Sequence, residues 1–472
     1  MSKQSAVLVA CIIAVVHLVL AGLYANITPY RTSGILMGQR DPATGGFQRI
    51  PDIGAPDERQ HANYVLKLVR GEGFPVLDPN DPNLIENYQA HQPPLFYLIE
   101  AGWVKAIGVD LESSGSGLVA RIPNAIIGAL TVLGTFFLGL WGFRRSDVGL
   151  IGATFVALLP MNAALSGAIS NDPLLFCLCT WALANIAKGC VEGWCMGIAI
   201  RVGLLVGLAI ITKTTAISLL PILLLCLAVG SNRPNWKQVL ACTAVLAAVS
   251  APWLARNQSL YGDPFAISAF NEAFKGSPKA SDFIAEGGAF AYWVDWVGWW
   301  TIRSFFGVFG YMDIFLNERG IGITGPNVPN SLYRTLTALG FLTLVLWLFA
   351  LGRTEWRQHK TVHLICGAFL LIVFVLFLRF NAQYFQGQAR YLFPAIAVFG
   401  IGVSVAVLGV VGRRWQVGLG IVAAILGVLN FYIFARLPGE FRSRTVPGFT
   451  QMETDGEPIH VLSGNDAIGL RV

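Results

Sequence analysis

Charge is scarce in this chain. Only 13% of its 472 residues are Asp, Glu, Lys or Arg, where a soluble domain usually carries about 25%. Hydrophobic residues make up 54%, and they are gathered into long runs rather than alternating with polar ones. An ordinary soluble domain is thereby excluded. The short alternating segments of a transmembrane barrel are missing as well. No Lys/Arg-rich stretch is interleaved with aromatics, so the net charge of +6 carries no sign of a nucleic-acid partner. The eight cysteines include no Cys-x-x-Cys pair. All lie in or beside apolar runs, as small membrane-buried residues do, which argues against a disulfide framework. The sequence shows no soluble domain, low-complexity tract or strong internal repeat.

What is present is a series of apolar runs, each near the roughly 20 residues that carry a helix across the hydrocarbon core. Only helices and closed barrels satisfy their own backbone in lipid. The predicted fold class is all-α membrane, a polytopic bundle of about eleven transmembrane helices near residues 5–25, 118–142, 148–168, 173–190, 197–212, 214–230, 238–255, 332–352, 362–379, 391–411 and 416–435. The first run, Val7 to Leu23, follows Lys3 and lacks a small-x-small cleavage site. It reads as a retained anchor. Short loops with Arg144, Arg145, Lys188, Arg233, Lys237, Arg353, Arg357, Lys360, Arg413 and Arg414 fall on one side. Only Lys213, Arg379 and Arg390 fall on the other. The positive-inside rule makes the first side cytoplasmic. The expectation is a multi-pass plasma (inner) membrane protein with a cytoplasmic N-terminus. Residues 1–435 form its membrane domain, with long outer loops at 26–117 and 256–331, and 436–472 form a short polar outer tail. Pro93 to Gly108 is apolar but holds Glu100 and Lys105, and it suits an interfacial helix.

Several polar residues gather on the predicted outer side. Asp57 and Glu58 follow Pro56 at a helix start. There they either stabilise the helix dipole or act as acids in a site. His61, one turn on, shares Asp57's face. The pair admits a divalent metal, but two ligands are too few to argue one. His91 and Gln92 precede Pro93-Pro94 and the interfacial helix. Asp172 before Pro173 fits a cap, yet lies on the same side as Asp57. Lys213, between two apolar runs, either snorkels or pairs with a lipid phosphate. Arg256, Arg303 and Arg390 sit among interfacial aromatics, with Tyr391 beside the last, and guanidinium suits bidentate phosphate recognition. Acids can activate an acceptor as general base, and cations can stabilise a departing phosphate. A transporter or flippase of lipid-linked saccharides is the rival of a different class, and would favour charged or broken helices at the midplane. A polysaccharide polymerase would use the same outer-face chemistry, and a noncatalytic scaffold would need none.

These motifs resemble the GT-C polytopic glycosyltransferases that use polyprenyl-phosphate sugars. They are most similar to bacterial relatives of dolichyl-phosphate-mannose protein mannosyltransferases and of the lipid A aminoarabinose transferase. The likeness is carried by Asp57-Glu58, His91-Gln92-Pro93-Pro94-Leu95, Ser170-Asn171-Asp172-Pro173, Lys213 in its Thr-Lys-Thr turn, Pro252-Trp253 through Arg256-Asn257, and Arg390-Tyr391-Leu392 through Pro394. It runs over most of the chain. The resemblance implies a GT-C-like bundle, two long outer loops with interfacial helices, and an inverting transfer. Asp57 would be the general base, with Asp172 and Glu58 as further acids. Lys213 and Arg390 would face the donor phosphate, with His61, His91, Gln92, Arg256, Arg303 and Tyr391 as further substrate contacts. The implied partners are a polyprenyl-phosphate-linked sugar, membrane lipid, and a glycan, lipid or protein acceptor. Where the aminoarabinose transferases often carry Lys before the double Pro, this chain has His91-Gln92.

Overall fold

A computed structural model describes residues 2–40, 45–230, 232–316 and 331–445. Among them, eight helices are long and apolar enough to cross a membrane: Lys3–Ile27, Ser114–Gly142, Asp172–Glu192, Trp236–Tyr261, Ser331–Leu351, Lys360–Asn381, Ala389–Val411 and Trp415–Arg444. A ninth crossing is broken. Ser146–Leu158 and Pro160–Ser166 meet at 66°. Pro160 is the cause, since proline bars the α conformation at the residue before it, and Leu159 is extended at φ −64°, ψ 115°. The predicted spans 197–212 and 214–230 are helical but short, at Met196–Ile210 and Thr214–Ala228. The first rises about 22 Å at 1.5 Å per residue, and the second, which begins as a 3-10 helix over Thr214–Leu219, about 25 Å, both below the roughly 30 Å of the hydrocarbon core. The all-α membrane class holds, whereas the count of eleven full crossings is not confirmed.

Small residues set the packing, as lipid-embedded bundles require. The broken helix meets Ala389–Val411 at Gly152 and Gly400, where a Cβ added to Gly400 would come within 2.8 Å of the Gly152 carbonyl oxygen. Buried polar side chains tie helices together. His17 reaches the Ala157 carbonyl at 2.8 Å, and the Tyr24 hydroxyl donates to Asn430 Oδ1 at 2.9 Å. Outward faces are apolar and open, with Phe431, Leu224 and Phe349 exposed, as a lipid-facing surface demands.

The two long loops fold over one end of the bundle. The first carries an antiparallel hairpin, Gly34–Arg40 with Phe47–Ile50, the helix Glu58–Val69 and the helix Leu95–Ile107. The latter, expected to be interfacial, is too short for a crossing. Its 13 residues rise only about 20 Å, and Gly108 ends it in the left-handed conformation at φ +73°. The second loop adds Ile267–Ala273, Ala280–Phe290, Trp299–Phe306 and a short pair of strands. The loops meet where Met37 N–H donates to Asp313 Oδ2 at 3.3 Å. Arg444 is also paired with Asp313, at 2.8 Å. The last helix therefore continues past residue 435, where a polar tail was expected to begin. Residues 446–472 of that tail lie outside the described residues.

Candidate active site

Asp57 sits directly before the helix Glu58–Val69, yet makes no side-chain cap to it. Its backbone is left-handed at φ +62°, a conformation that Asp tolerates better than most residues. This turns the carboxylate away from its own helix. Oδ1 accepts from the Tyr88 hydroxyl at 2.6 Å, and Oδ2 accepts from Arg390 Nη2 at 2.6 Å. The helix-dipole account of Asp57 needs neither contact.

Arg390 lies in a tight turn, Ala389–Ala395, that feeds the helix Ile396–Val411. Its Nη1 is 3.9 Å from Asp172 Oδ2. Asp172 opens the helix Asp172–Glu192, while Asn171 occupies the cap position. The other oxygen of Asp172 accepts from Lys213 Nζ at 2.5 Å. Lys213 stands in the break after Met196–Ile210, with its ammonium 5.8 Å from the Tyr391 ring centre. The result is a continuous chain, Asp57–Arg390–Asp172–Lys213, drawn from four segments. Buried charges persist only when paired and hydrogen-bonded, and such clusters mark functional sites more often than chance. Burial pushes the Asp57 carboxyl up, but the Arg390 charge and the Tyr88 hydrogen bond outweigh it and hold it at about 2.

Polar residues of the first loop flank this chain. The His61 Nδ1 is 2.8 Å from the Tyr97 hydroxyl, and burial pushes its imidazole down to about 3 despite the Asp57 charge. His91 Nδ1 donates to the Tyr88 carbonyl at 2.7 Å. Burial, reinforced by Lys213, holds His91 at about 4 against that hydrogen bond. Its Nε2 then accepts from Gln92 Nε2 at 3.0 Å. Gln92 Oε1 accepts from Asn171 Nδ2 at 3.1 Å, so the double-Pro motif is wired to the start of the Asp172 helix. Both imidazoles are neutral at pH 7.

Residues 77–399 match the family described as Predicted membrane protein (DUF2142). The chain belongs to this family. The matched region holds Tyr88, Asp172, Lys213 and Arg390, and Asp57 precedes it. No curated protein matches the sequence. The DUF2142 fold is similar to that of ArnT from Cupriavidus metallidurans bound to undecaprenyl phosphate, with TM-score 0.51 and 16% identity over 90% of this chain and 64% of that one. It is also similar to the archaeal oligosaccharyltransferase AglB from Archaeoglobus fulgidus. In complex with an inhibitory peptide and a dolichol-phosphate, that structure gives TM-score 0.50 and 15% identity over 91% of this chain and 56% of that one. The A. fulgidus enzyme tethered to an acceptor peptide gives 0.51 and 15%, over 94% and 55%. The chain thus spans less than two thirds of each of these proteins. The fold is similar to that of these polytopic proteins.

Not every candidate joins the site in this DUF2142 chain. Glu58 points into a separate, dry pair. Its oxygens take Arg121 Nε at 2.7 Å and Nη2 at 2.6 Å, and one also accepts from Ile169 N–H at 2.7 Å. Glu58 is the first helical residue whereas Asp57 lies before the helix in the left-handed conformation, so the two carboxylates diverge. Arg256 donates to the carbonyls of Phe74 and Pro75 and stacks on Trp253, clipping the first loop to the Trp236 helix. Arg303 is buried between Trp299 and Phe315. Tyr88 and Tyr97 were missed. Tyr88 stands only three residues before His91, inside the stretch Asn87-Tyr88-Gln89-Ala90 that leads to the double-Pro motif. Among the described residues no group of three or more His, Cys, Asp or Glu could hold a metal ion.

Proposed function

We propose that this protein is a membrane glycosyltransferase that moves a sugar from a polyprenyl-phosphate donor to an extracytoplasmic acceptor, with inversion. The observation that carries this reading is the chain Asp57–Arg390–Asp172–Lys213, two carboxylates threaded by two cations. A fold shared with proteins recorded with undecaprenyl phosphate and dolichol-phosphate supports it. Asp57 is the general base, taking the proton of the acceptor hydroxyl as its oxygen attacks the anomeric carbon. Lys213 and Arg390 receive the lipid phosphate as the bond from sugar to phosphate oxygen breaks. Asp172 orients both cations. General-base assistance typically contributes about 10²–10⁴-fold. Asp57→Asn should lower transfer from a polyprenyl-phosphate sugar by that factor while expression and membrane insertion persist. Transfer at the wild-type rate would remove Asp57 from the mechanism and favour a transporter of lipid-linked saccharides.

The active end is read as extracytoplasmic. The opposite end of the Asp172–Glu192 helix supports this, because basic loops gather there. Arg144 donates to the Val191 carbonyl, Asn232 to those of Cys190 and Val191, and Arg145 pairs with Glu355. In a chain whose exposed Cys11 and Cys195 are replaced by serine, Ser146→Cys should resist impermeant thiol reagents applied to intact cells. Labelling from outside would reverse the orientation.

A further inference from the structure

Arg390 serves two carboxylates, and still has a donor to spare. Nη2 is engaged by Asp57 at 2.6 Å and Nη1 stands 3.9 Å from Asp172, while Nε is buried with no hydrogen-bond partner. Nε and Nη2 form the side-on edge of a guanidinium, the geometry that takes two oxygens of one phosphate. Half of that edge is free and half is held by the residue proposed as base. A carboxylate so held is a weak base, and a guanidinium so held is only partly available to an anion.

One event lifts both handicaps. Two carboxylates and two cations sum to zero, so the free site carries no net attraction for a second anionic charge. A glycosyl phosphodiester brings about one negative charge, and the lipid phosphate monoester left after transfer carries nearly two. Over the same step the base passes from one negative charge to none.

We propose that Arg390 is handed from Asp57 to the lipid phosphate during transfer, so that proton uptake by one carboxylate is coupled to stabilisation of the leaving group. The inference rests on the glycosyltransferase reading above. The acceptor oxygen bonds to the anomeric carbon, and its proton ends on Asp57 Oδ2. The bond from that carbon to the phosphate oxygen breaks, and the electron pair stays on the phosphate. Total charge is unchanged. Phosphate first occupies the free Nε edge and then takes Nη2 as Asp57 is neutralised. The Tyr88 hydroxyl, on Oδ1 at 2.6 Å, keeps Asp57 in place when Arg390 leaves.

A neutral residue at 57 copies the protonated aspartate, so it should favour the product. Binding of undecaprenyl phosphate to the full chain in nanodiscs tests this without a sugar donor. Asp57→Asn should bind it about tenfold more tightly than wild type, within the usual range for coupled sites. Asn tolerates φ of +62° at least as well as Asp. Asp57→Gly, the most permissive backbone, should show the same gain if the Asn variant fails to accumulate. The gain should vanish in Asp57→Asn/Arg390→Gln compared with Arg390→Gln alone. Equal or weaker binding by both neutral variants overturns the handover and leaves the lipid-phosphate reading standing. No binding to any folded form overturns both. Inorganic phosphate that binds as tightly as the lipid would overturn the lipid source.

Discussion

Asp57 and Glu58 are neighbours in sequence, both acidic and both paired with arginine, yet their sites differ in kind. Glu58 and Arg121 are 0% and 1% exposed. Arg121 spends its remaining donors on the carbonyls of Ala25, Thr28 and Pro29, so every group in that pair is satisfied inside the protein. The Asp57 side chain is 21% exposed, and Arg390 keeps an idle Nε. A saturated pair fixes geometry, because any rearrangement strands a buried charge. An unsaturated pair can exchange partners. The first is a clamp that closes the end of the N-terminal helix against the first loop. The second is a place where an anion can arrive.

The largest effect should fall on the clamp. Arg121→Ala leaves Glu58 buried and unpaired, a change that typically costs about 3–5 kcal/mol. Thermal unfolding of the purified protein should show a severe loss, and Asp57→Asn should lose less. If the two variants melted alike, the distinction between clamp and site would collapse.

Per pH unit, a smaller effect follows from acid. His61 and His91 are lowered from 6.5 to about 3 and about 4. Between those values and 6.5 the unfolded chain binds more protons than the folded one. Their stabilisation is therefore full above pH 6.5 and is lost as pH falls toward 4, by about 1.4 kcal/mol per pH unit for each histidine. Asp57, lowered from 3.8 to about 2, adds a further loss only below pH 3.8. Melting temperature should drop between pH 6.5 and 5, and His91→Gln should flatten that slope. A slope unchanged in His91→Gln would detach the double-Pro motif from the folded site.

The smallest effect concerns a cation in neither region. Arg256→Ala removes only hydrogen bonds and stacking at the loop clip. It should leave undecaprenyl phosphate affinity within about twofold and lower stability by about 1 kcal/mol. A tenfold loss of affinity would extend the site to the Trp236 helix.

The four residues of the ion chain stood among the candidates because all fall on the predicted outer side. Spans almost free of charge leave few places for Asp172, Lys213 and Arg390, and the family resemblance points to the same positions. The pairing itself was not legible. Which carboxylate meets which cation depends on how segments 333 residues apart pack together, and no local pattern encodes that. Glu58 was grouped with Asp57 because they share a dipeptide, but the left-handed backbone of Asp57 sends the two carboxylates to different arginines, which no local pattern announces. Arg256 and Arg303 lie at aromatic-rich interfaces, where a cation stacked on indole looks the same in sequence as one awaiting a phosphate. Apolar runs of adequate length were read as full crossings, but the polar Thr212-Lys213 break trims both flanking helices.

That trimming has a consequence for the membrane itself. Rods of about 22 and about 25 Å, standing in a slab of about 30 Å, leave a notch in the palisade of longer helices. A hydrophobic stretch this short is met by a thinner bilayer or by snorkelling side chains. Lys213 stands at the turn joining the two rods, so the notch lies beside its ammonium. A headgroup drifting sideways in the leaflet would meet that charge at the notch without first climbing out of the bilayer.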